Sequence, residues 1–241
     1  MHADGRLPRT TSGWGSLPFA GHLPPDRPLH GLDLGSGTGR FSPALADAFG
    51  PVLCVEPSGP MREVAERGSN HDRVRYVDGS AESIPAGDQS FDYCLLYPVW
   101  HHVLHPAGAA REIARVLRPG GVLLCRSQFS DLMPDLWWLH HFPSGPEADA
   151  AMYRPLTDEI NIFGKAGLEP SPGLTWVDEP SLGTKAERLE QLRTRTLSVL
   201  HRMSDEDVAT GLASLAREVL HEPDAPAPGQ QVSLLVLRKS G

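Results

Sequence analysis

The stretch GLDLGSGTGRFSPALADAFG, residues 31–50, decides the fold. A short apolar run is followed by small residues with glycine at positions 35, 37 and 39, and then by a helix-like pattern. A glycine turn between a strand and a helix lets the backbone approach a ligand closely and directs N–H groups at it. The stretch therefore predicts a ligand-binding turn for a phosphate or for a carboxylate.

Outward from this turn, short apolar runs alternate with helical patterns. The strand-like runs are apolar almost throughout, as in a parallel sheet that is covered by helices on both faces. In chain order the segments are LHGLDLG, a helix to Phe49, PVLCVEP, the helix MREVAERG, VRYVDG, FDYCLLYP, the helix PAGAAREIARVLRPGG ended by Pro119 and Gly120, and GVLLCRSQF.

The alternation stops after Phe129. The aromatic, proline-interrupted residues 130–156 are typical of an insertion or lid. A helix LTDEINIFGKAG with Thr157 as its cap, an edge strand LEPSPGLTWVDE, two helices at about 185–203 and 204–221, and a last strand QVSLLVLRK follow. We predict an α/β fold: a doubly wound, mostly parallel seven-stranded Rossmann-like sheet with helical insertions near the C-terminus.

Composition narrows the class of partner. The 22 basic and 30 acidic side chains give a formal charge of −8, which disfavours nucleic acid as a partner. Three cysteines lie inside apolar runs and lack metal-ligand spacing, which indicates buried thiols in a reducing compartment. No apolar run reaches the roughly 18 to 20 residues of a membrane span. We therefore expect a soluble, cytoplasmic protein, a monomer or a homodimer.

The glycine turn departs from the dinucleotide fingerprint. That fingerprint requires a third glycine at the sixth position, where helix and strand pack closely, and counting from Gly35 this position is Arg40. Glu56 stands at the end of the second strand, where a carboxylate can accept hydrogen bonds from ribose hydroxyls. Arg40 therefore disfavours a nicotinamide oxidoreductase, whereas Glu56 fits either kind of nucleoside cofactor.

The chain resembles a known family. LDLGSGTG and VEPSGPM resemble the first two motifs of class I S-adenosylmethionine-dependent methyltransferases. GSAESIP, FDYCLLYPVWHHV and REIARVLRPGGVLL are similar to later blocks of the type 11 branch, which includes the ubiquinone/menaquinone methyltransferases. The blocks cover residues 29–129 in order. The resemblance implies S-adenosyl-L-methionine as cofactor and S-adenosyl-L-homocysteine as product.

The resemblance also implies a set of cofactor-binding residues. The turn would hold the methionine part, the acid after the second strand the ribose, and later residues the adenine and the methyl-transfer region. In that order the set is Asp33, Gly35, Ser36 and Gly37; Glu56 and Pro57; Met61, Ser80, Ala81 and Glu82; and Tyr97. The family often has aspartate where Ser80 stands, and a hydroxyl is a weaker partner for the adenine amino group.

A general base is needed only for a neutral hydroxyl, an acidic carbon or a protonated amine. His101 and His102 are the candidate catalytic residues, with packing or capping of the loop as the alternative. His101 and His105 have an i, i+4 spacing, but Pro106 interrupts a helix there and no cysteine or acid lies within HHVLH, so no metal is predicted.

We expect a single domain over residues 29–241. Residues 29–129 form the cofactor-binding core, 130–156 and 180–222 are insertions that shape an acceptor pocket, and 1–28 is a segment that is partly disordered or covers the site. Trp137, Trp138, His140 and His141 line a pocket or lid, or else pack a dimer contact or an extra helix.

The predicted function is methyl transfer to a small organic acceptor, of the kind found in secondary metabolism. The alternatives are a cofactor-binding protein with a non-methylating role, such as cyclisation, and a non-catalytic interaction subunit.

Overall fold

The computed structural model describes residues 17, 19–69, 71–180 and 183–241. Its strands form one seven-stranded sheet in the order β3-β2-β1-β4-β5-β7-β6. Only β7 runs antiparallel to its neighbours, β5 and β6. The strands are β1 Gly31–Leu34, β2 Val52–Val55, β3 Val74–Val77, β4 Phe91–Leu96, β5 Leu117–Arg126, β6 Leu168–Glu179 and β7 Gln230–Lys239. The predicted doubly wound, mostly parallel sheet is confirmed.

Helices cover the sheet and build an extra layer at its carboxyl edge. They are α1 Ser42–Ala48, α2 Gly59–Gly68, α3 Pro106–Val116, α4 Gly145–Ala150, α5 Leu156–Gly164, α6 Lys185–Arg193 and α7 Asp205–Val219. Short 3-10 turns lie at Ala20–His22, Trp100–His102, Leu139–His141 and Ser198–His201.

Alternate strand residues face the two sides of the sheet, because side chains in a strand point up and down in turn. Leu123 and Cys125 of β5 belong to a core shared with α3 and α5. Val122 and Leu124 of β5 belong to a second core shared with α1. The cysteines at positions 54, 94 and 125 are free and buried, as predicted.

A third apolar cluster has no member from the sheet. Its buried residues all come from 136–219, including Phe142, Leu192 and Leu215. We call the segment 130–155 together with 183–221 the helical cap. Gly211 of α7 packs directly on Phe142, since a Cβ there would lie 2.2 Å from the ring.

Several element boundaries differ from the sequence prediction. α3 ends at Val116, and β5 takes up Pro119 and Gly120. Thr157 is not the cap of α5, because the helix begins one residue earlier and the Leu156 N–H donates to the Asp131 carboxylate at 2.9 Å.

The two C-terminal helical patterns have different outcomes. The pattern predicted for 185–203 is divided into α6 and a 3-10 turn, with Arg195 between them at a φ of +53°. The acidic start of α7 is confirmed, since the Ser204 Oγ accepts a hydrogen bond from the Asp207 N–H at 3.0 Å.

Most of the predicted N-terminal segment lies outside the described residues. Within them, Phe19 and Leu23 are buried in the core on the α1 face of the sheet. No helix in the described part of the chain is long and apolar enough to cross a membrane.

Candidate active site

The glycine turn follows β1 and lies at the carboxyl edge of the parallel strands. Gly35 and Gly37 have positive φ angles of 75° and 57°, which side-chain-bearing residues adopt at a cost. A Cβ at Gly35 would lie 2.4 Å from the Val99 side chain, whereas a Cβ at Gly37 would meet nothing within 4 Å. Gly35 is therefore fixed by space as well as by conformation.

The N–H groups of the turn are not free, which corrects one sequence expectation. Gly35 and Ser36 donate to the Val55 carbonyl at 2.7 and 3.3 Å, and Gly37 donates to Glu56 Oε2 at 3.0 Å. Buried amides rarely stay unpaired, so the neighbouring strand satisfies them. The Ser36 hydroxyl, by contrast, is buried and has no partner among the described residues.

Glu56 lies one residue after β2, with only 7% of its surface exposed. Its second carboxylate oxygen, Oε1, accepts from the Ser58 N–H at 2.9 Å. An ionised carboxylate offers about four acceptor positions on its two oxygens. Two backbone bonds thus fix the orientation of Glu56 and leave acceptor capacity for a hydroxyl.

A cavity of about 190 Å³ opens beside the turn. Its walls come from β1, the segment after β2, the loop after β3 and the segment after β4. The lining residues are Leu34, Gly35, Val55, Pro57, Gly79, Ser80, Ala81, Glu82, Leu96, Val99, His102, Val103 and Leu104. Five residues of the predicted cofactor-binding set and one candidate catalytic residue thus share one cavity: Gly35, Pro57, Ser80, Ala81 and Glu82, and His102.

Other residues of the predicted set do not line this cavity. Asp33 is buried, and its carboxylate accepts from the Ser42 hydroxyl at 2.8 Å. Burial raises the pKa of Asp33 to about 6, although the bond from Ser42 lowers it. Met61 lies in α2 and is 47% exposed. The cofactor-binding role of the whole set stays a prediction.

Tyr97 follows β4 and belongs to a polar cluster that the sequence analysis missed. Its hydroxyl donates to Glu179 at the end of β6. Arg126 of β5 makes two bonds to the same carboxylate, at 3.1 and 2.9 Å, and Gln230 of β7 adds one at 2.6 Å. Burial raises the pKa of Glu179, but the Arg126 charge and these bonds outweigh it, and the pKa stays below its usual value. Side chains from four strands thus fix this part of the edge.

No sequence signal pointed to that cluster, because Arg126, Glu179 and Gln230 are far apart in the chain and belong to no shared motif. Only the antiparallel pairing of β7 between β5 and β6 brings them together.

The two candidate catalytic histidines occupy a 3-10 turn that Trp100 anchors. The buried Trp100 indole donates to Glu159 of α5 at 2.7 Å. The rings of His101 and His102 lie 3.9 Å apart, and only His102 lines the cavity. Burial lowers the pKa of His101 to about 4, helped by the charges of His102, Arg126 and Arg202. His101 is therefore neutral near pH 7, and the catalytic role of both residues stays a prediction.

Trp138 and His141 pack within the helical cap, whereas His140 is exposed. Trp138 is buried, with its ring 5.9 Å from that of Phe142. His141 contacts α7 through Ser214 at 3.0 Å and Glu218 at 2.9 Å. Of the two interpretations left open by the sequence, packing of extra helices is the one that matches these contacts.

The described residues contain no group of three or more histidine, cysteine, aspartate or glutamate side chains that could hold a metal ion.

Comparison with known proteins identifies the domain that forms this edge. Residues 32–125 match the family model of the methyltransferase domain. Over 92 residues the chain is 44% identical to an uncharacterized methyltransferase of Mycobacterium tuberculosis, covering 38% of this chain and 37% of that protein. Over 118 residues it is 36% identical to the ubiquinone/menaquinone biosynthesis C-methyltransferase of Rubrivivax gelatinosus, covering 49% and 45%. The alignments thus span less than half of these curated relatives.

Solved structures extend the likeness of the fold beyond that segment. A proposed methyltransferase from an antibiotic biosynthesis pathway of Anabaena variabilis superposes with a TM-score of 0.65 at 23% identity, covering 88% of this chain and 92% of that one. The [4+2]-cyclase SpnF superposes with a TM-score of 0.56 at 22% identity, covering 92% and 79%. The resemblance to class I methyltransferases stated from the sequence is confirmed.

Proposed function

We propose that this chain, which carries a methyltransferase domain over residues 32–125, transfers a methyl group from S-adenosyl-L-methionine to a small organic acceptor. The observation that carries the proposal is the cavity between the Gly35 turn and the loop at Ser80 and Glu82, with Glu56 fixed beside it. This is the carboxyl edge of a parallel sheet, where open α/β folds bind their ligands.

The residues at this edge fit an adenosine that bears an amino-acid tail. The cavity volume suits a purine base, being smaller than the roughly 300 to 1,000 Å³ of pockets that enclose a whole drug-sized ligand. Glu56 has acceptor capacity for ribose hydroxyls, and the unpartnered Ser36 hydroxyl offers a hydrogen bond to the tail. In this arrangement Gly35, Ser36 and Gly37 contact the methionine part, while Ser80, Ala81 and Glu82 border the base.

The bound cofactor would supply a sulfonium-activated methyl group, and this chain would supply position and surroundings. Holding two reactants in line can contribute roughly 7 to 11 kcal/mol toward the barrier. The strand ends at Tyr97 and Arg126, which are held by Glu179, give the acceptor side a rigid wall. The helical cap contacts that side through Tyr153, whose ring lies 5.1 Å from that of His101, and in this proposal it would limit the access of water. His101 and His102 remain our candidates for a proton acceptor.

A second candidate function keeps the cofactor site but omits methyl transfer. It is favoured by the fold shared with a protein described as a [4+2]-cyclase. In that case the same cavity would bind the cofactor, and the acceptor side would promote a ring closure.

Two measurements on the purified chain test the proposal. Calorimetric titration should show binding of S-adenosyl-L-homocysteine and not of NADH. Incubation with S-adenosyl-L-methionine carrying a labelled methyl, together with an extract of the producing cells, should place label in a small metabolite.

The outcomes separate the candidates. Binding of S-adenosyl-L-homocysteine without any labelled metabolite would favour the non-methylating role. Binding of NADH alone would contradict both and would favour an oxidoreductase.

A further inference from the structure

Buried polar atoms without partners mark a second site at the carboxyl edge. The Asp149 Oδ2 and the Gln128 Oε1 are inaccessible to solvent and have no hydrogen-bond partner among the described residues. Asp149 is 4% exposed and Gln128 is 7% exposed. A buried acceptor that loses water without gaining a hydrogen-bond partner destabilises the fold. Two such atoms therefore require an explanation.

These atoms are gathered around Arg126. β5 ends at Arg126, and Gln128 lies two residues further along the chain. The Ser130 N–H, two residues after Gln128, donates to the carbonyl of Arg154 at 3.1 Å, which joins this segment to the part of the helical cap next to Tyr153. The Arg126 charge also acts on Asp149 in α4 and on Tyr153. The rings of His101 and Tyr153 lie 5.1 Å apart, and the His101 Nδ1 is a third buried atom without a partner among the described residues. The segment after β5, α4 and the 3-10 turn at Trp100–His102 thus each carry a buried polar atom without a partner among the described residues.

This place adjoins the cofactor cavity. His102 lines that cavity, and its ring lies 3.9 Å from the ring of His101. The helical cap contacts His101 through Tyr153, and Asp149 lies four residues before Tyr153 in the same cap. Arg126 donates two hydrogen bonds to Glu179 through Nε and Nη2, and the Asp149 Oδ2 stays unpaired among the described residues.

The chemistry of the unpaired atoms selects a ligand. The Asp149 carboxylate and the Gln128 amide oxygen are both hydrogen-bond acceptors, and a neutral imidazole also presents an acceptor on one nitrogen. Burial raises the pKa of Asp149 to about 6, partly opposed by the Arg126 charge, so the carboxylate is largely ionised at pH 7.5. A ligand that offers O–H or N–H groups would satisfy this set, whereas a carboxylate would be repelled.

We propose that Asp149 and Gln128 form the recognition site for a hydroxyl or an amine on the acceptor molecule. The inference rests on the proposed function, since it assigns the acceptor side of the same edge. It specifies an acceptor that donates hydrogen bonds, and it identifies Asp149 and Gln128 as specificity-determining residues that sequence motifs do not reveal.

The test uses three probes of equal shape: benzyl alcohol, benzylamine and benzoate. Each is added at about tenfold its dissociation constant, or at 20 mM where no binding is found, and thermal unfolding of the full chain is followed at pH 7.5. The alcohol and the amine should raise the Tm by roughly 3 to 5 °C, and benzoate should not. The ratio of the two dissociation constants then tells whether the neutral or the cationic donor is preferred.

Variants locate the effect. Asp149→Asn should abolish the shift caused by benzylamine, and Gln128→Met, which keeps the volume, should reduce the shifts caused by both donors. Asp158→Asn changes an exposed aspartate on α5 and should leave every shift as in the original chain. Circular dichroism of each variant verifies that it is folded.

The results separate this inference from the proposed function. S-adenosyl-L-homocysteine is titrated into the same samples. If cofactor binding is intact, any of three results would overturn the recognition site alone. Benzoate and benzylamine shift the Tm equally, neither donor shifts the Tm, or the donor shift survives Asp149→Asn. Loss of donor binding in Asp149→Asn with unchanged S-adenosyl-L-homocysteine affinity supports it. Absence of cofactor binding in the original chain would overturn the proposed function, while the probe shifts would still decide the site.

Discussion

The two halves of the carboxyl edge differ in how their polar groups are satisfied. Over β1 and β2, the amides of Gly35 and Gly37 are paired with Val55 and Glu56, within a segment of 22 residues. Over β5 and the helical cap, Gln128 and Asp149 are buried without partners among the described residues. In the first half the backbone amides are paired locally and follow a shared motif, and the Ser36 hydroxyl is a polar atom without a partner among the described residues. The second half has unmet hydrogen-bonding capacity, which is what a site for a particular molecule requires.

The largest effect is expected for Gly35 in the first half. It tests whether the lack of room for a side chain, as well as the positive φ, restricts this position. Gly35→Ala places a methyl group 2.4 Å from Val99 at a φ of +75°. A left-handed conformation costs about 1 to 2 kcal/mol and overpacking a further 1 to 3, so we expect a loss of roughly 3 to 4 kcal/mol in the free energy of unfolding. Urea unfolding measures it.

Gly37→Ala is the matched control, because its φ is also positive but a Cβ would meet nothing within 4 Å. It should cost only about 1 to 2 kcal/mol. Equal losses in the two variants would show that contact with Val99 does not restrict position 35.

The next effect tests the second half through stability. Burial raises the pKa of Asp149 from 3.8 to about 6, so its contribution to stability is present below about pH 4 and is lost as pH rises through 6. Asp149→Asn cannot ionise and so keeps this stability at high pH. At pH 7.5 the free energy of unfolding of the variant should exceed that of the unsubstituted chain by about 2 to 3 kcal/mol. The gap should fall to about half by pH 5.

Urea unfolding of both proteins at the two pH values measures the gap. Asp158→Asn, on the surface, should change stability by less than about 0.5 kcal/mol at either pH. A less stable Asp149→Asn variant at pH 7.5 would mean that the carboxylate has a stabilising partner in the fold.

A third prediction concerns cofactor affinity in the first half. Glu56→Ala removes the carboxylate that we assign to the ribose, and bonds to charged groups contribute about 1.5 to 3 kcal/mol. The affinity for S-adenosyl-L-homocysteine should fall roughly 30-fold, which corresponds to about 2 kcal/mol. Glu63→Ala, at an exposed glutamate of α2, is the control and should bind normally. Unchanged affinity in Glu56→Ala would contradict the placement.

The smallest effect tests the packing of the helical cap. Alanine normally stabilises a helix by about 1 kcal/mol relative to glycine. Gly211→Ala should instead destabilise α7 by about 1 kcal/mol net, since its Cβ would lie 2.2 Å from the Phe142 ring. The control is Gly108→Ala in α3, where a Cβ would have open space around it, and this variant should be neutral or slightly stabilising. Thermal unfolding of both variants measures the two effects. A stabilising Gly211→Ala would show that the cap repacks easily.

The extent to which sequence predicted the structure differs between the same two halves. The strands and helices of 29–129 were predicted because fully buried parallel strands are apolar throughout and glycine turns are local. The predicted cavity residues at 80–82 also follow from a contiguous block. The boundaries of α3 and α5 were wrong because helix ends depend on neighbours, here β5 and Asp131.

The sequence by itself determined the sheet, the glycine turn and the likeness to class I methyltransferases, since each depends on residues close together in the chain. Tertiary structure alone decided which polar groups meet on the acceptor side. Arg126, Glu179 and Gln230 come together only because β7 inserts between β5 and β6, and Asp149 approaches them only through the helical cap. The physical reason is that hydrogen bonds and charges act over a few ångströms in space, whatever the distance along the chain.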